Sequence, residues 1–368
     1  MKKTGRESNI ELLRILAMLM IVGNHYAGHG IMYKWDPARS YQLWSAGSQV
    51  NKLFASLLSL GGEIGVGIFF IITGYFLSQS KQVHLRKFVL EVIWYGFLTT
   101  AAGILLLLLH APIREFHFSF STLVKGILIP ITGGNWWFIT AYFFLLLMIP
   151  TINSVIRKIG GGGRTYLFTF CLWIFWYVLG NFAMFDQLEK AVFFYMIGTC
   201  LRQRAESRST VTKSAYPVII VMIFAYLVGM VIRCHDAAIY VQGITGNQFS
   251  FSELSITAFV APVCAIAWFK LFTSLKIGVR PRMNQIAATT FGVYLIHESA
   301  VGRSLLLYNL FQVDTVQYCS ALFPVLAILS VVGIFAICSV IDLGRIKFIV
   351  PAQNHLCDKL VNLLKSNT

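Results

Sequence analysis

The 368-residue chain is 57% hydrophobic and only 12% charged, with a mean hydropathy of +0.70. Soluble domains carry about 25% charged residues, so this chain cannot cover a globular surface with polar groups. A cytosolic enzyme, a disordered chain and a fibrous one are excluded, and an integral membrane protein with many spans fits. The net charge of +15 reads first as the Lys and Arg excess of inner loops, with no need of nucleic acid.

A membrane-crossing helix takes about 20 apolar residues. Ten stretches qualify in chain order: 9–28, 53–79, 87–109, 136–156, 165–183, 188–203, 215–233, 253–273, 287–307 and 319–342. The expected fold is therefore an all-α polytopic bundle of about ten transmembrane helices, both termini cytoplasmic. The first stretch follows Lys2 and Lys3 like a signal peptide, but it contains Glu11 and Arg14 and lacks a small-x-small cleavage site. It reads as a retained helix. Gly61-Gly62 and Gly65/Gly67 punctuate the second span, and glycines at this density either let helix backbones approach closely or interrupt the helix so that it unwinds around a ligand. Residues 121–134 are apolar but too short and too rich in Gly and Pro to span, so they are expected at the interface or re-entering.

With the N-terminus inside, 21 of the 30 Lys and Arg fall in inner segments, eight in outer loops, and Arg14 lies within a span. That asymmetry supports an even number of spans. Residues 1–343 form one membrane domain. In residues 344–368, Leu356, Leu360, Leu363 and Leu364 share a helical face beside Lys359 and Lys365. This tail reads as a cytoplasmic amphipathic helix at the interface. The seven cysteines show no CxxC and no regular spacing. They read as small buried hydrophobes, and no metal is expected.

Ionisable groups inside a bilayer are costly and mark function by default. Arg14 and His25 are eleven residues apart, close to three helical turns, so they share a face about 16 Å apart along the axis. Glu11 and His29 fall on the same stripe. Glu63 is a carboxylate in the Gly-rich second span. Lys81, His84, Arg86 and Lys87 cluster after that span, which suits either the inner-loop bias or a clamp on phosphates. The fourth span opens Asn135-Trp136-Trp137-Phe138 and continues to Tyr142, an aromatic belt or a sugar platform. Tyr33, Trp35, Tyr41 and Trp44 in the first outer loop admit the same two readings. The ninth span carries Tyr294-Leu295-Ile296-His297-Glu298. Neighbours on a helix do not face each other, so His297 and Glu298 need not act as a couple.

Four segments, taken together, resemble the acyltransferase-3 family of integral-membrane O-acyltransferases. The run Glu11-Leu12-Leu13-Arg14 through His25 resembles that family's Arg-x10-His helix. Gly65-Val66-Gly67-Ile68-Phe69-Phe70-Ile71-Ile72-Thr73-Gly74-Tyr75 is similar to its second-helix signature, with Gly67 where an acidic residue is frequent and Thr73 where serine is common. Trp136-Trp137-Phe138 through Tyr142 and Pro150 looks like its Trp-Phe…Tyr…Pro helix. Gly292-Val293-Tyr294-Leu295-Ile296-His297 looks like its late Tyr-Leu-Ile-His segment. The basic loop departs from the family's Arg-x-x-Arg, reading Lys81…Arg86-Lys87.

The resemblance implies transfer of an acyl group, most often acetyl, from cytoplasmic acetyl-CoA or another acyl-CoA. The acceptor would be a hydroxyl of a cell-envelope glycan, an exopolysaccharide or a lipid-linked glycan. No cofactor would be bound permanently. On this reading His25 is the base or acyl carrier, with Arg14 and His297 also in the catalytic set. Arg14, Arg86 and Lys87 would hold the CoA phosphates, and Glu63, Trp137, Tyr142 and Glu298 the acceptor. The expected location is the plasma membrane of a bacterial cell. The alternative is a glycan-precursor transporter or flippase, which broken helices and intramembrane charges also suit.

Overall fold

The computed structural model describes residues 7–32, 42–116, 119, 121, 125–126, 128–131, 136–179, 186–207, 216–241, 256–314 and 316–366. Among these the protein is helical, with no strand. The principal helices are α1 (Ser8–His25), α2 (Gln49–Leu77), α3 (Arg86–Leu108), α4 (Trp137–Ile159), α5 (Gly163–Leu179) and α6 (Asp186–Ser207). They continue with α7 (Tyr216–Val241), α8 (Ala261–Ser274), α9 (Thr290–His297), α10 (Phe323–Gly344) and α11 (Val350–Ser366). Each predicted span therefore contains a helix.

Six helical runs among the described residues are long and apolar enough to cross a membrane. They fall on α1, α2, α3, α4, the first 20 residues of α7, and α10 with its continuation. The protein is a multi-pass membrane protein. The other four predicted spans differ for visible reasons. α5 is described for 17 residues and α8 for 14. α6 begins Asp186-Gln187-Leu188-Glu189-Lys190 and closes on Arg202-Gln203-Arg204-Ala205-Glu206-Ser207, so its apolar middle is short. The ninth span is broken, as described below.

α2 decides between the two readings of its glycines. Its glycines do not interrupt it: the helix runs unbroken for 29 residues. They are packing devices instead. A Cβ at Gly62 would collide with Asn24 of α1, and one at Gly65 would lie 2.5 Å from the Ala17 carbonyl oxygen. On the other side, Gly74 faces the backbone of Tyr195, and Gly198 of α6 faces the backbone of Ile71. Small residues let helix backbones approach where lipid offers no hydrophobic drive to associate. α2 thus becomes the axis of the bundle, in contact with α1, α6, α7 and α8.

The C-terminal end of α2 is tied by side chains. Asn153 of α4 donates to the carbonyls of Leu77 at 2.7 Å and Ser80 at 2.9 Å, and accepts from the Tyr195 hydroxyl at 2.7 Å. The Leu77 carbonyl also accepts from the Ser80 amide at 2.9 Å, so Asn153 reinforces a turn that closes the helix C-terminus. The tail is also helical: α10 passes through one π-helical turn, Arg345–Ile349, into α11. Of the stretch 121–134, only residues 121, 125–126 and 128–131 are described. Tyr33, Trp35, Tyr41 and Asn135 lie outside the described residues. Trp44 is buried, with Lys52 over its ring at 4.9 Å.

Candidate active site

His25 sits on the last turn of α1, and the helix does not stop there. Residues Tyr26–Ile31 continue it as a π-helix, carrying His29 at its fourth position. π-turns are rare and frequent at functional sites. His25 and His29 are four residues apart and share a face, with ring centroids 5.6 Å apart.

The second half of the site lies at a break. α9 has only eight residues and ends at His297, with Glu298 as its cap. Ser299 then caps the short turn Ala300–Gly302, accepting from the Gly302 amide at 2.9 Å and donating to the Ile296 carbonyl at 2.8 Å. Gly302 must be glycine, since a Cβ there would strike the Ile296 carbonyl. In a continuous helix His297 and Glu298 would point about 100° apart. Both keep near-helical backbone, the chain turning away only at Ser299, and their side chains reach His25 across that angle; the turn at Ser299 overturns the expectation of one unbroken ninth span.

The distances define the arrangement. Nδ1 of His25 lies 2.8 Å from Nε2 of His297 and 3.0 Å from Oε2 of Glu298. Nε2 of His29 lies 3.3 Å from the same carboxylate oxygen, and Arg303 Nη1 is 3.6 Å from Oε1. Nδ1 of His297 is 2.6 Å from the Val293 carbonyl. That carbonyl can only accept, so Nδ1 of His297 carries hydrogen and its Nε2 carries the lone pair. The contact with His25 therefore requires the hydrogen of His25 to be on Nδ1, shared between His297 and Glu298. The basic lone pair of a neutral His25 is then on Nε2. All three residues are buried, His297 completely.

An aromatic wall backs the cluster. The Tyr294 ring lies 6.3 Å from His25 and edge-on to His297 at 6.0 Å. Phe138 sits 5.3 Å from Tyr294 and stacks on Tyr142 at 5.8 Å. Tyr142 is thus two rings removed from the histidines.

The remaining predicted site residues lie apart from the cluster. Arg14 is eleven residues down α1 and pairs with Glu11 at 3.0 Å. Arg86 pairs with Asp358 of α11 at 2.9 Å and donates to the Asn354 carbonyl at 3.0 Å, while Lys87 beside it is exposed. Glu63 pairs with Lys190 at 2.9 Å, and the Lys190 ammonium stands 5.8 Å over the Trp137 ring. Glu63 and Trp137 are therefore joined through a buried lysine.

Sequence reasoning gave no role to His29, Tyr294, Lys190 or Arg303. The His25-x3-His29 spacing was a usable signal. Lys190 and Arg303 were counted only as outer-loop cations, since nothing local tells which carboxylate a cation meets across helices. A second buried network was likewise unread. Arg345 reaches Glu91 at 2.7 Å and Asp342 at 2.6 Å, and the Tyr95 hydroxyl donates to Asp342 at 2.6 Å. Asp342 fills the space left by Gly292, so this network seats α9 against α10.

A family profile described as an acyltransferase domain matches residues 7–343, nearly the whole chain. No curated protein and no solved structure matches.

Proposed function

The chain belongs to the acyltransferase-3 family of membrane acyltransferases, and from that premise we propose that it moves an acyl group, most often acetyl in relatives, from cytoplasmic acyl-CoA to a glycan hydroxyl. The acceptor is a cell-envelope or exopolysaccharide glycan, and the protein works in a bacterial plasma membrane with both termini in the cytoplasm. The observation that carries the reading is the contact of His25 Nδ1 with His297 and Glu298. It supports a base whose lone pair is placed on Nε2 by its neighbours.

The proposed step runs as follows. Nε2 of His25 takes the proton of the acceptor hydroxyl as its oxygen attacks the thioester carbonyl. The imidazolium so formed keeps its Nδ1 hydrogen on Glu298, whose charge it now meets directly. The tetrahedral intermediate collapses by breaking the carbon–sulfur bond. The departing CoA thiolate recovers the proton from Nε2, which restores neutral His25. Glu298 thus orients and stabilises the base, a more direct role than holding the acceptor. His297 fixes the tautomer.

Arg14 and the basic pair Arg86 and Lys87 lie toward the cytoplasmic end and hold the anionic donor. Glu63, Trp137 and Tyr142 hold the acceptor, the tryptophan presenting a ring face to a sugar. The test is a labelled acetyl-CoA assay on membranes with mass analysis of surface glycans. The expected product is heavier by one acyl group, and His25→Ala abolishes it. Loss of glycan export with acylation intact in that variant would instead favour a transporter.

A further inference from the structure

Three donor atoms converge behind His25: its own Nδ1, Nε2 of His297 and Oε2 of Glu298, all within 4.8 Å of one another. Two imidazoles and one carboxylate form a donor set for zinc and its neighbours among the divalent transition metals; magnesium and calcium prefer all-oxygen sites. Three protein ligands with a fourth position left for water is a common zinc arrangement.

Proximity alone would be weak, and two further features add to it. The Val293 carbonyl holds the Nδ1 hydrogen of His297, so its Nε2 lone pair points into the cluster. Metal-binding histidines are oriented in this way. The Glu298 carboxylate is also held from its other sides, by His29 at 3.3 Å on Oε2 and by Arg303 at 3.6 Å on Oε1. Ligating carboxylates are supported similarly. The present separations, 2.8 Å and 3.0 Å, are those of hydrogen bonds. A tetrahedral zinc with bonds of about 2.1 Å sets its ligands about 3.3–3.4 Å apart, so small side-chain movements suffice.

We propose that His25, His297 and Glu298 form a regulatory zinc site, and that its occupation switches the transferase off. The chemistry is a displacement of one proton along one ring. Neutral His25 has a single ring hydrogen, on Nδ1. Zinc takes the Nδ1 lone pair, and the hydrogen then resides on Nε2. That is the atom that must be bare to accept the acceptor's proton. No electron is transferred, and the metal leaves as it came. The inhibition half of this proposal rests on the reading of His25 as base; the binding half does not.

The experiment uses the full chain purified in detergent, its cysteines blocked with N-ethylmaleimide, and Zn2+ alone as ligand. Calorimetry and metal content after desalting are expected to give one Zn2+ per chain. Co2+ in its place should show visible bands of a four-coordinate nitrogen and oxygen site, without the charge-transfer band of a thiolate. His297→Ala and Glu298→Gln should each weaken binding by at least about 100-fold, and His29→Gln by about tenfold. A near-native circular dichroism spectrum shows that each variant is folded. In the acetyl-CoA assay, Zn2+ should stop transfer at the concentration that fills the site, and a chelator should restore it. Absent binding, binding indifferent to His297 and Glu298, or a filled site that leaves transfer unchanged or faster each overturns the proposal. If the untreated protein transfers no acyl group, the functional reading falls while the calorimetry still decides the site.

Discussion

α2 and α7 look alike in sequence: both are long and apolar, and α7 is the more apolar of the two. Yet 78% of the apolar window is buried in α2 and only 17% in α7. The difference lies in the small residues. α2 carries Gly61, Gly62, Gly65, Gly67 and Gly74, and each meets a neighbouring helix. α7 carries Gly229 alone among its 26 residues, and presents Ile220, Phe224 and Val231 outward. Hydropathy places a helix in the bilayer; close-packing surfaces decide whether protein or lipid surrounds it. In this protein, α2 holds α1 in place, and α1 carries His25.

Five substitutions test that contrast, in decreasing order of effect. His25→Ala in the packed half should lower kcat for acyl transfer by about 10³-fold, the usual worth of a general base, in a labelled acetyl-CoA assay. A rate unchanged within twofold would falsify the assignment of the base. Glu298→Gln keeps the shape and removes the charge facing the imidazolium. It should cost about 10²-fold in kcat, near 2.7 kcal/mol, with KM for acetyl-CoA little changed. If KM for the acceptor rises and kcat holds, Glu298 binds substrate instead.

Gly74→Ala puts a methyl against the Tyr195 backbone, which cannot yield as a flexible side chain can. It should destabilise the protein by about 1–3 kcal/mol, seen as a lower Tm in detergent. An unchanged Tm would mean that α2 is not the packing axis. Arg86→Ala should raise KM for acyl-CoA by up to about tenfold if the guanidinium holds a phosphate, the worth of one charge-assisted contact. If Arg86 only tethers α11, KM stays put, and the exposed pair with Asp358 accounts for under about 1 kcal/mol of stability. Phe224→Ala on α7, where the side chain is 68% exposed, should shift stability by no more than about 0.5 kcal/mol. A large loss there would show that a protein partner, and not lipid, covers that face.

His25 was legible in the sequence because an imidazole in an apolar helix is rare and costly, and because its spacing from Arg14 matched three turns. The helices were legible for the same reason: every backbone group in lipid must be satisfied within its own segment. The company His25 keeps was not. His297 and Glu298 are 272 and 273 positions away, and their convergence on His25 depends on how α9 packs against α1. Local pattern favoured a continuous helix through 287–307. The glycines of α2 stayed open between a break and close packing for a comparable reason, since glycine weakens an isolated helix and serves equally to let two helices touch.

By itself the sequence determined an all-helical membrane protein, its family, and the residue to name first in the site. The helices and the intramembrane histidine follow from composition, period and local spacing, which short-range physics fixes; the family follows from four motif resemblances in chain order. Only the tertiary structure decided which nitrogen of His25 faces His297 and Glu298, that His29 and Arg303 hold Glu298, that Lys190 links Glu63 to Trp137, and that Arg345 is a buried ion-pair partner instead of a loop cation. The physical reason is common to all four. A charge or hydrogen-bond donor inside a bilayer must find its partner across helices, and that partner is set by packing, which a linear pattern does not encode.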